Sequence, residues 1–354
     1  MDKLNNDSSS MPLVSVLIPA HNAMPDLRWC ISSLLDQTYP NIEIVIVDDG
    51  STDNTKEYLS SLKEEKIRFI SIQNMGVSTA RNIAIDLALG CFITFVDADD
   101  KVVPSFVEDA LRFSIKNKLD IAIGGLTKVY GSKRIAFGVP IKSKMEEIFI
   151  GDAIESVVSA TIAYSSKNNS FLSSFFLSGS VCKLIRRDVI GAIRFNQYLS
   201  IGEDTLFNVE LLNNCTRIGL LAHNWYEYII HADSAVGSYK PDALDRAELL
   251  ISELFKATKV ETRQFVYIRA VREFEGACLA SYAHKFSVDI FHLVKDIKTT
   301  LRSPFWAALF TSPNNWVSLI VEKRYKILAS LCCGGHFILV ACYLLIIRLL
   351  RNLK

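Results

Sequence analysis

The sequence lacks the features that mark several protein classes. Its 354 residues include only 9 prolines and 16 glycines, too few for a collagen-like or low-complexity chain. Neither sign of charge dominates, with 39 Lys and Arg against 38 Asp and Glu. A disordered chain combines low hydrophobicity with high net charge, whereas half of this chain is hydrophobic. The near-neutral balance also lacks the basic footprint of a nucleic-acid binder. The eight cysteines include no C-x-x-C pair. That excludes the common zinc spacings and leaves buried, reduced thiols, as in a cytosolic protein. Phosphate loops of the G-x-G-x-x-G and G-x-x-x-x-G-K-[ST] types are absent, which counts against dinucleotide cofactors and P-loop NTPases. Residues 1–10 contain no apolar core of a signal peptide. Residues 1–12 read as a disordered lead-in.

What is present is a regular alternation. Leu13–Ile18, Ile42–Val47, Ile67–Ile72, Cys91–Val96 and Leu119–Ile123 are short apolar runs with strand character. Between them, Asp26–Gln37 and Gly76–Leu89 have helical spacing, the second stopped by Gly90. Ser51 or Thr52 is positioned to cap a further helix running to about Lys63, and Pro104 opens another. Leu126–Val139 reads as a hairpin turning at Gly131-Ser132. Gly151–Tyr164 and Glu203–Leu212 read as helices, Arg217–Leu221 and Trp225–Ile230 as strands, and Pro241–Thr300 as mainly helical. This rhythm predicts an α/β fold with a mostly parallel sheet and helices on both faces.

Ligands of such sheets bind at the carboxyl ends of the strands. The polar clusters fall there: His21-Asn22, Asp48-Asp49, Asn74 and Asp97–Asp100 follow four successive strands. Loop polarity alone would scatter the acids. Asp97-Ala98-Asp99-Asp100 supplies hard oxygen ligands suited to Mn²⁺ or Mg²⁺, or forms a solvated acidic turn. Asp48-Asp49 exceeds what a helix cap needs. Glu203-Asp204 is either a proton acceptor or a pair of acids favoured by a helix N-terminus.

Five stretches resemble the family 2 glycosyltransferases with the GT-A fold. They are Val14–Asn22, Ser33–Thr38, Glu43–Asp53, Asn74–Asn82 and Phe95–Asp100, in that family's order and spacing. A thinner match covers Cys182–Leu184, Gly202–Phe207 and Tyr228–Ser234. The resemblance implies a Rossmann-like catalytic domain over residues 13–240, with a nucleotide-binding half (13–125) and an acceptor half (126–240). A helical extension (241–326) and a membrane-associating or transmembrane helix (327–354) follow. It also implies site roles. Pro19, Ala20 and His21 line the nucleotide pocket. Asp49 meets the nucleobase, Asn74, Gly76 and Arg81 hold the nucleotide, and Asp97 meets the ribose. Asp99 ligates the metal, and His231 approaches the metal or the pyrophosphate. Asp204, beside Glu203, acts as the base. The family's usual arginine two residues before His231 is Ile229 here. Processive relatives carry Gln-x-x-Arg-Trp, whereas Arg28-Trp29 has Pro25 in the glutamine position. That favours transfer of one sugar at a time.

Ile327–Ile347 contains one ionisable residue, His336, between basic flanks. It is long enough to span a membrane. A helix lying in the interface, or one buried in a core, remains open. Trp306 and Trp316 upstream are candidate interface anchors. The expectation is therefore an inverting, metal-dependent transferase on the cytoplasmic face of a membrane. It would use a nucleotide-sugar donor, a glycan or lipid-linked acceptor, and no nucleic acid. A non-catalytic nucleotide-sugar binder and a nucleotidyltransferase are the rivals, although the latter's glycine- and arginine-rich loop is absent after the first strand.

Overall fold

The structure is a computed structural model that describes residues 11–137, 146–163, 172, 175–231, 240–282, 290–311, 314–320 and 322–352. Its contacts divide the chain into two units. The first is Met1–Ile154, Ser174–Gln197 and Glu210–His231; the second is Glu155–Ser173, Tyr198–Val209 and Ala232–Lys354.

The first unit opens with β1 (Val14–Ala20), α1 (Asp26–Leu35), β2 (Ile42–Asp49), α2 (Thr55–Ser61), β3 (Ile67–Ile72), α3 (Val77–Leu87) and β4 (Phe92–Phe95). β5 (Lys101–Val102), α4 (Phe106–Asn117), β6 (Ile121–Tyr130), β7 (Lys133–Phe137) and β8 (Glu146–Ile150) follow. After α5 (Ile154–Ala163) come β9 (Lys183–Arg186), α6 (Arg187–Ile190), α7 (Glu203–Asn213) and β10 (Arg217–Ile229). The ten strands form one sheet in the order β3-β2-β1-β4-β9-β6-β10-β5, with β7 on β6 and β8 on β10.

Strands β1 and β2 are buried along their whole length, as a strand covered on both faces must be. β3, at the sheet edge, alternates between exposed and half-buried residues. The sheet is mostly parallel, but β9 runs antiparallel between β4 and β6, and β5, β7 and β8 are antiparallel to their partners. The two strands read at 217–221 and 225–230 are one strand with a register shift between Leu220 and Tyr226. The Gly131-Ser132 hairpin forms as expected through Phe137.

Register places the loops. Ala20 pairs with Asp48, Asp49 with Ile72, and Leu17 with Phe95. His21, Gln73–Gly76 and Asp97–Asp100 therefore leave the sheet at one edge. Two helix boundaries differ from expectation. α2 starts at Thr55, because Asp53 accepts the Thr55 N–H (3.0 Å) while Ser51 and Thr52 turn toward Asn22. α3 ends at Leu87. Gly90 is instead pressed on β1, where a Cβ would lie 2.7 Å from the Leu13 carbonyl oxygen.

Glu43 sits at the opposite edge of the sheet. It accepts from Ser15 Oγ (2.5 Å), Leu89 N–H (2.6 Å), Gly90 N–H (3.2 Å) and Arg68 Nη2 (2.5 Å). Burial would raise its carboxyl. The hydrogen bonds from Ser15 and Leu89 and the Arg68 guanidinium outweigh it and hold the carboxyl below its ordinary value.

The second unit contains α5 and the start of α7. It continues with α8 (Ala243–Ala257), α9 (Arg263–Ser281), α10 (Ile290–Leu301), α11 (Pro304–Thr311), α12 (Lys323–Cys333) and α13 (Phe337–Asn352). Its core includes Phe274 against Trp306 (5.0 Å) and Phe310 (5.4 Å). Trp306 and Trp316 are 2% and 3% exposed, so they are core residues and not interface anchors. The apolar stretch 327–347 is not one helix. Gly335 adopts φ +66°, and its N–H and that of His336 bond back to Cys332 and Leu331. This pairing ends a helix and favours glycine at the left-handed position. Among the described residues no helix is long and apolar enough to cross a membrane. The segments 138–145, 232–239 and most of 164–174 lie outside the described residues, and with them the end of the hairpin read to Val139 and of the Tyr228–Ser234 tract.

The candidate active site

The site is built where β1, β2 and β4 end. At the end of β2, both acids are buried, Asp48 to 1% and Asp49 to 4% exposure. Asp48 accepts the Ser51 N–H at 3.1 Å. Asp49 accepts the N–H groups of Met75 (2.7 Å) and Gly76 (2.8 Å), one on each oxygen. Its carboxylate thereby holds the loop carrying Asn74 and Gly76. The turn requires Gly50, which has φ +69° and lies so close that a Cβ would approach the Asn74 amide nitrogen to 2.6 Å.

Pro19 and Ala20 close β1 and are buried. His21 is exposed, and its Nδ1 donates to the Asp49 carbonyl at 2.7 Å. A carbonyl only accepts, so this bond fixes the proton on Nδ1. Nε2 is left to accept from Asn22 (3.2 Å) and Asn74 (3.4 Å). Arg81, in the second turn of α3, is 5% exposed. Its Nη2 meets Asp97 at 3.1 Å, and its guanidinium lies 5.2 Å from the Phe195 ring centre.

At the end of β4 the acids differ from one another. Asp100 is buried, accepting from the Tyr226 hydroxyl (2.8 Å) and the Ile229 N–H (2.7 Å). The same hydroxyl accepts the Asp97 N–H at 3.0 Å. Burial pushes the Asp100 carboxyl up to about 8; the charges of Asp97 and Asp99 add to this, and the two hydrogen bonds oppose it. Asp99 is about half exposed. Its carboxyl is raised by desolvation and then by the Asp97 charge. His231 Nε2 stands 3.8 Å from Asp99 Oδ2 and 3.8 Å from Asp26 Oδ2.

A cation suits this donor set. Asp99 offers a hard oxygen suited to Mn²⁺ or Mg²⁺, and His231 an imidazole of the kind divalent transition ions accept. Among the described residues no three His, Cys, Asp or Glu side chains converge as a complete ion site. A bound ion would take its remaining ligands from donor phosphate and water.

Ten of the predicted residues, from Pro19 to Asp99 and His231, therefore lie in the first unit. Glu203 and Asp204 begin α7, and their part of that helix belongs to the second unit. Both are half-buried. Sequence reasoning missed Asp26, which reads only as a helix-start acid, and Tyr226, whose signal was its place in the strand before His231. It also missed buried Lys183, whose Nζ donates to the carbonyls of Phe176 (3.3 Å), Val181 (3.4 Å) and Gly179.

The chain is similar to several known glycosyltransferases. The glycosyltransferase GlyA of Streptococcus pneumoniae serotype 4 is 30% identical over 224 residues, 62% of this chain and 31% of that protein. The uncharacterized glycosyltransferase EpsJ of Bacillus subtilis is 28% identical over 236 residues, 65% of each. The uncharacterized glycosyltransferase YibD of Escherichia coli is 41% identical over 111 residues, 31% of this chain and 32% of its own. The aligned stretch thus spans about one third to two thirds of these relatives. Among solved structures, S. aureus TarS 1–349 in complex with UDP-GlcNAc superposes with a TM-score of 0.66 at 21% identity, over 94% of this chain and 90% of that one. That likeness concerns the fold, which is the α/β sheet with a C-terminal helical region expected of GT-A proteins. The profile described as Glycosyl transferase family 2 matches residues 15–193, and the chain belongs to that family.

Proposed function

We propose that the protein is an inverting, metal-dependent glycosyltransferase acting on a nucleotide-diphosphate sugar, UDP-linked. The supporting observation is the convergence on one sheet edge of His21, Asp49 with the Asn74–Gly76 loop, Arg81 from α3, and the Asp97–Asp100 acids with His231. In this reading Pro19, Ala20, His21, Asp49, Asn74 and Gly76 shape the nucleotide pocket. Arg81 and Asp97, already paired, orient the ribose side. Asp99 and His231 would hold Mn²⁺ or Mg²⁺, which when bound neutralises charge on a leaving diphosphate. Asp204 takes the proton of the acceptor hydroxyl, with Glu203 beside it. One base and a single displacement invert the anomeric centre. The UDP assignment draws support from the UDP-GlcNAc held by TarS.

The test is UDP release from UDP-GlcNAc and other UDP-sugars with Mn²⁺. Asp204→Asn is expected to lose about 10³-fold in transfer while a UDP-sugar still raises its melting temperature as in wild type. Binding without turnover in wild type would instead favour the non-catalytic reading.

We also place a glycan or lipid-linked acceptor at a cytoplasmic membrane face, contacted by the C-terminal helices. After Glu322 the chain has six Lys or Arg and no acid. On α13, Ile338, Leu339, Ile346, Leu349 and Leu350 are each more than half exposed, opposite the buried Val340, Ala341 and Leu344. An exposed apolar face with cationic surroundings suits an anionic bilayer. Ile346→Asp should weaken sedimentation with anionic vesicles about tenfold. Equal binding of both proteins removes this assignment.

A further inference from the structure

Trp29 is 58% exposed, whereas Trp225, Trp306 and Trp316 are 0%, 2% and 3% exposed. A large exposed aromatic on a folded domain needs an account, and neither the core nor the acid cluster uses this one. Its surroundings are specific. Trp29 lies one turn after Asp26 on α1, and Asp26, Trp29 and Ser33 share one flank of that helix. The opposite flank (Leu27, Cys30, Ile31 and Leu34) is buried. Ser33 Oγ accepts the Val102 N–H at 3.3 Å, which ties this flank to β5. The Lys101 ammonium lies 5.3 Å from the Trp29 ring centre. Lys101 is two residues after Asp99. Asp26 and Asp99 are each 3.8 Å from the same His231 nitrogen. Trp29 is thus linked toward the Asp99–His231 pair along α1 through Asp26, and along the chain through Lys101.

The cation on this ring comes from a different part of the sheet than the nucleotide residues do. The nucleotide residues come from the ends of β1 and β2 and from α3. Lys101 comes from β5, at the far end of the sheet order. An isolated aromatic with a lysine ammonium over one face is too small for a protein-docking patch. It fits a pyranose ring. The C–H face of such a sugar packs on an indole face, while its equatorial hydroxyls reach the neighbouring carboxylate and ammonium.

We propose that Trp29, with Lys101 over one face of its ring and Asp26 one turn away on α1, is the platform whose other face stacks on a pyranose ring of the acceptor glycan. The assignment rests on the transferase reading above and supplies its acceptor subsite. Pro25 stands where the processive signature has glutamine, so the platform is a use of Trp29 separate from that signature.

Two measurements test it, and the first needs no turnover. Acrylamide quenching of tryptophan fluorescence reports mainly on Trp29, because the other three are buried. Methyl β-glucoside, methyl β-galactoside and methyl N-acetyl-β-glucosaminide serve as probes, with the open-chain alcohol sorbitol as control. At least one glycoside should protect Trp29 from quenching, and sorbitol should not. Protection by none of them, or equally by sorbitol, overturns the platform. The second measurement is glycoside-stimulated UDP release from a UDP-sugar. Trp29→Ala should raise the half-saturating glycoside concentration about tenfold, as expected for one aromatic contact. It should leave UDP release to water unchanged, and Trp29→Tyr should restore most of the effect. An unchanged half-saturating concentration in Trp29→Ala overturns the proposal. Absence of any UDP release from wild type counts against the transferase reading itself, and the quenching result still stands by its own terms.

Discussion

The ends of β2 and β4 look alike as text, each a strand followed by adjacent acids. In the folded molecule they are different devices. At the end of β2, Asp48 and Asp49 are almost fully buried and accept backbone N–H groups from Ser51, Met75 and Gly76. Their charge is directed first at the chain, and it shapes a pocket. At the end of β4, only Asp100 is committed in that way, to Tyr226 and Ile229. Asp97 answers Arg81, and Asp99 stays half exposed next to His231. The difference lies in what each carboxylate has for partners. A buried acid is stable only where donors replace water, so an acid with a remote partner and solvent access is the one able to take a ligand.

Substitutions can break or sharpen this contrast. The largest effect is expected for Asp99→Asn, with about 10³-fold less sugar transfer, close to 4 kcal/mol of barrier, and little change in melting temperature. A large loss of stability with intact transfer would reverse the roles of the two strand ends. Asp49→Ala comes next. Removing two charge-assisted hydrogen bonds and stranding the Met75 and Gly76 amides should cost about 3 kcal/mol of stability, read by denaturant unfolding. If unfolding is unchanged, Asp49 is not the structural clamp described here.

The smallest effect concerns Glu43, a buried acid at the opposite edge of the sheet with no place in the site. Its folded-state carboxyl is held below the ordinary value. The stability it contributes is present above the unfolded value of 4.5 and is lost as pH falls through the lower folded value. Glu43→Gln should therefore be less stable than wild type near neutrality by roughly 1–2 kcal/mol. The gap should close as pH drops below about 4, with transfer unaffected. A gap constant with pH would show that Glu43 acts through packing rather than charge.

Much of this was legible beforehand, for a physical reason. The strands of the first unit are buried on both faces, so their apolar runs stand out, and the loops between them carry the polar residues. The hairpin at Gly131-Ser132 was readable from its turn residues. β9 was not, because its four residues run antiparallel between two parallel strands and their short apolar pattern has no direction. Asp26 was not, because one acid at a helix start carries no sign that a histidine 205 positions later will face it. The C-terminal stretch left its fate open, because length alone permits a span, whereas the backbone turns at Gly334-Gly335 and divides it into two helices.

The sequence by itself determined the alternation of strands and helices, the family, and the edge of the sheet at which the polar residues gather. These follow from burial and chain direction, which local pattern encodes. Only the tertiary structure decided which acids are spent on backbone amides, that Asp26 joins Asp99 at His231, and that one of four tryptophans is left facing solvent. Those outcomes depend on partners remote along the chain, and local pattern does not record which distant groups will replace water around a side chain.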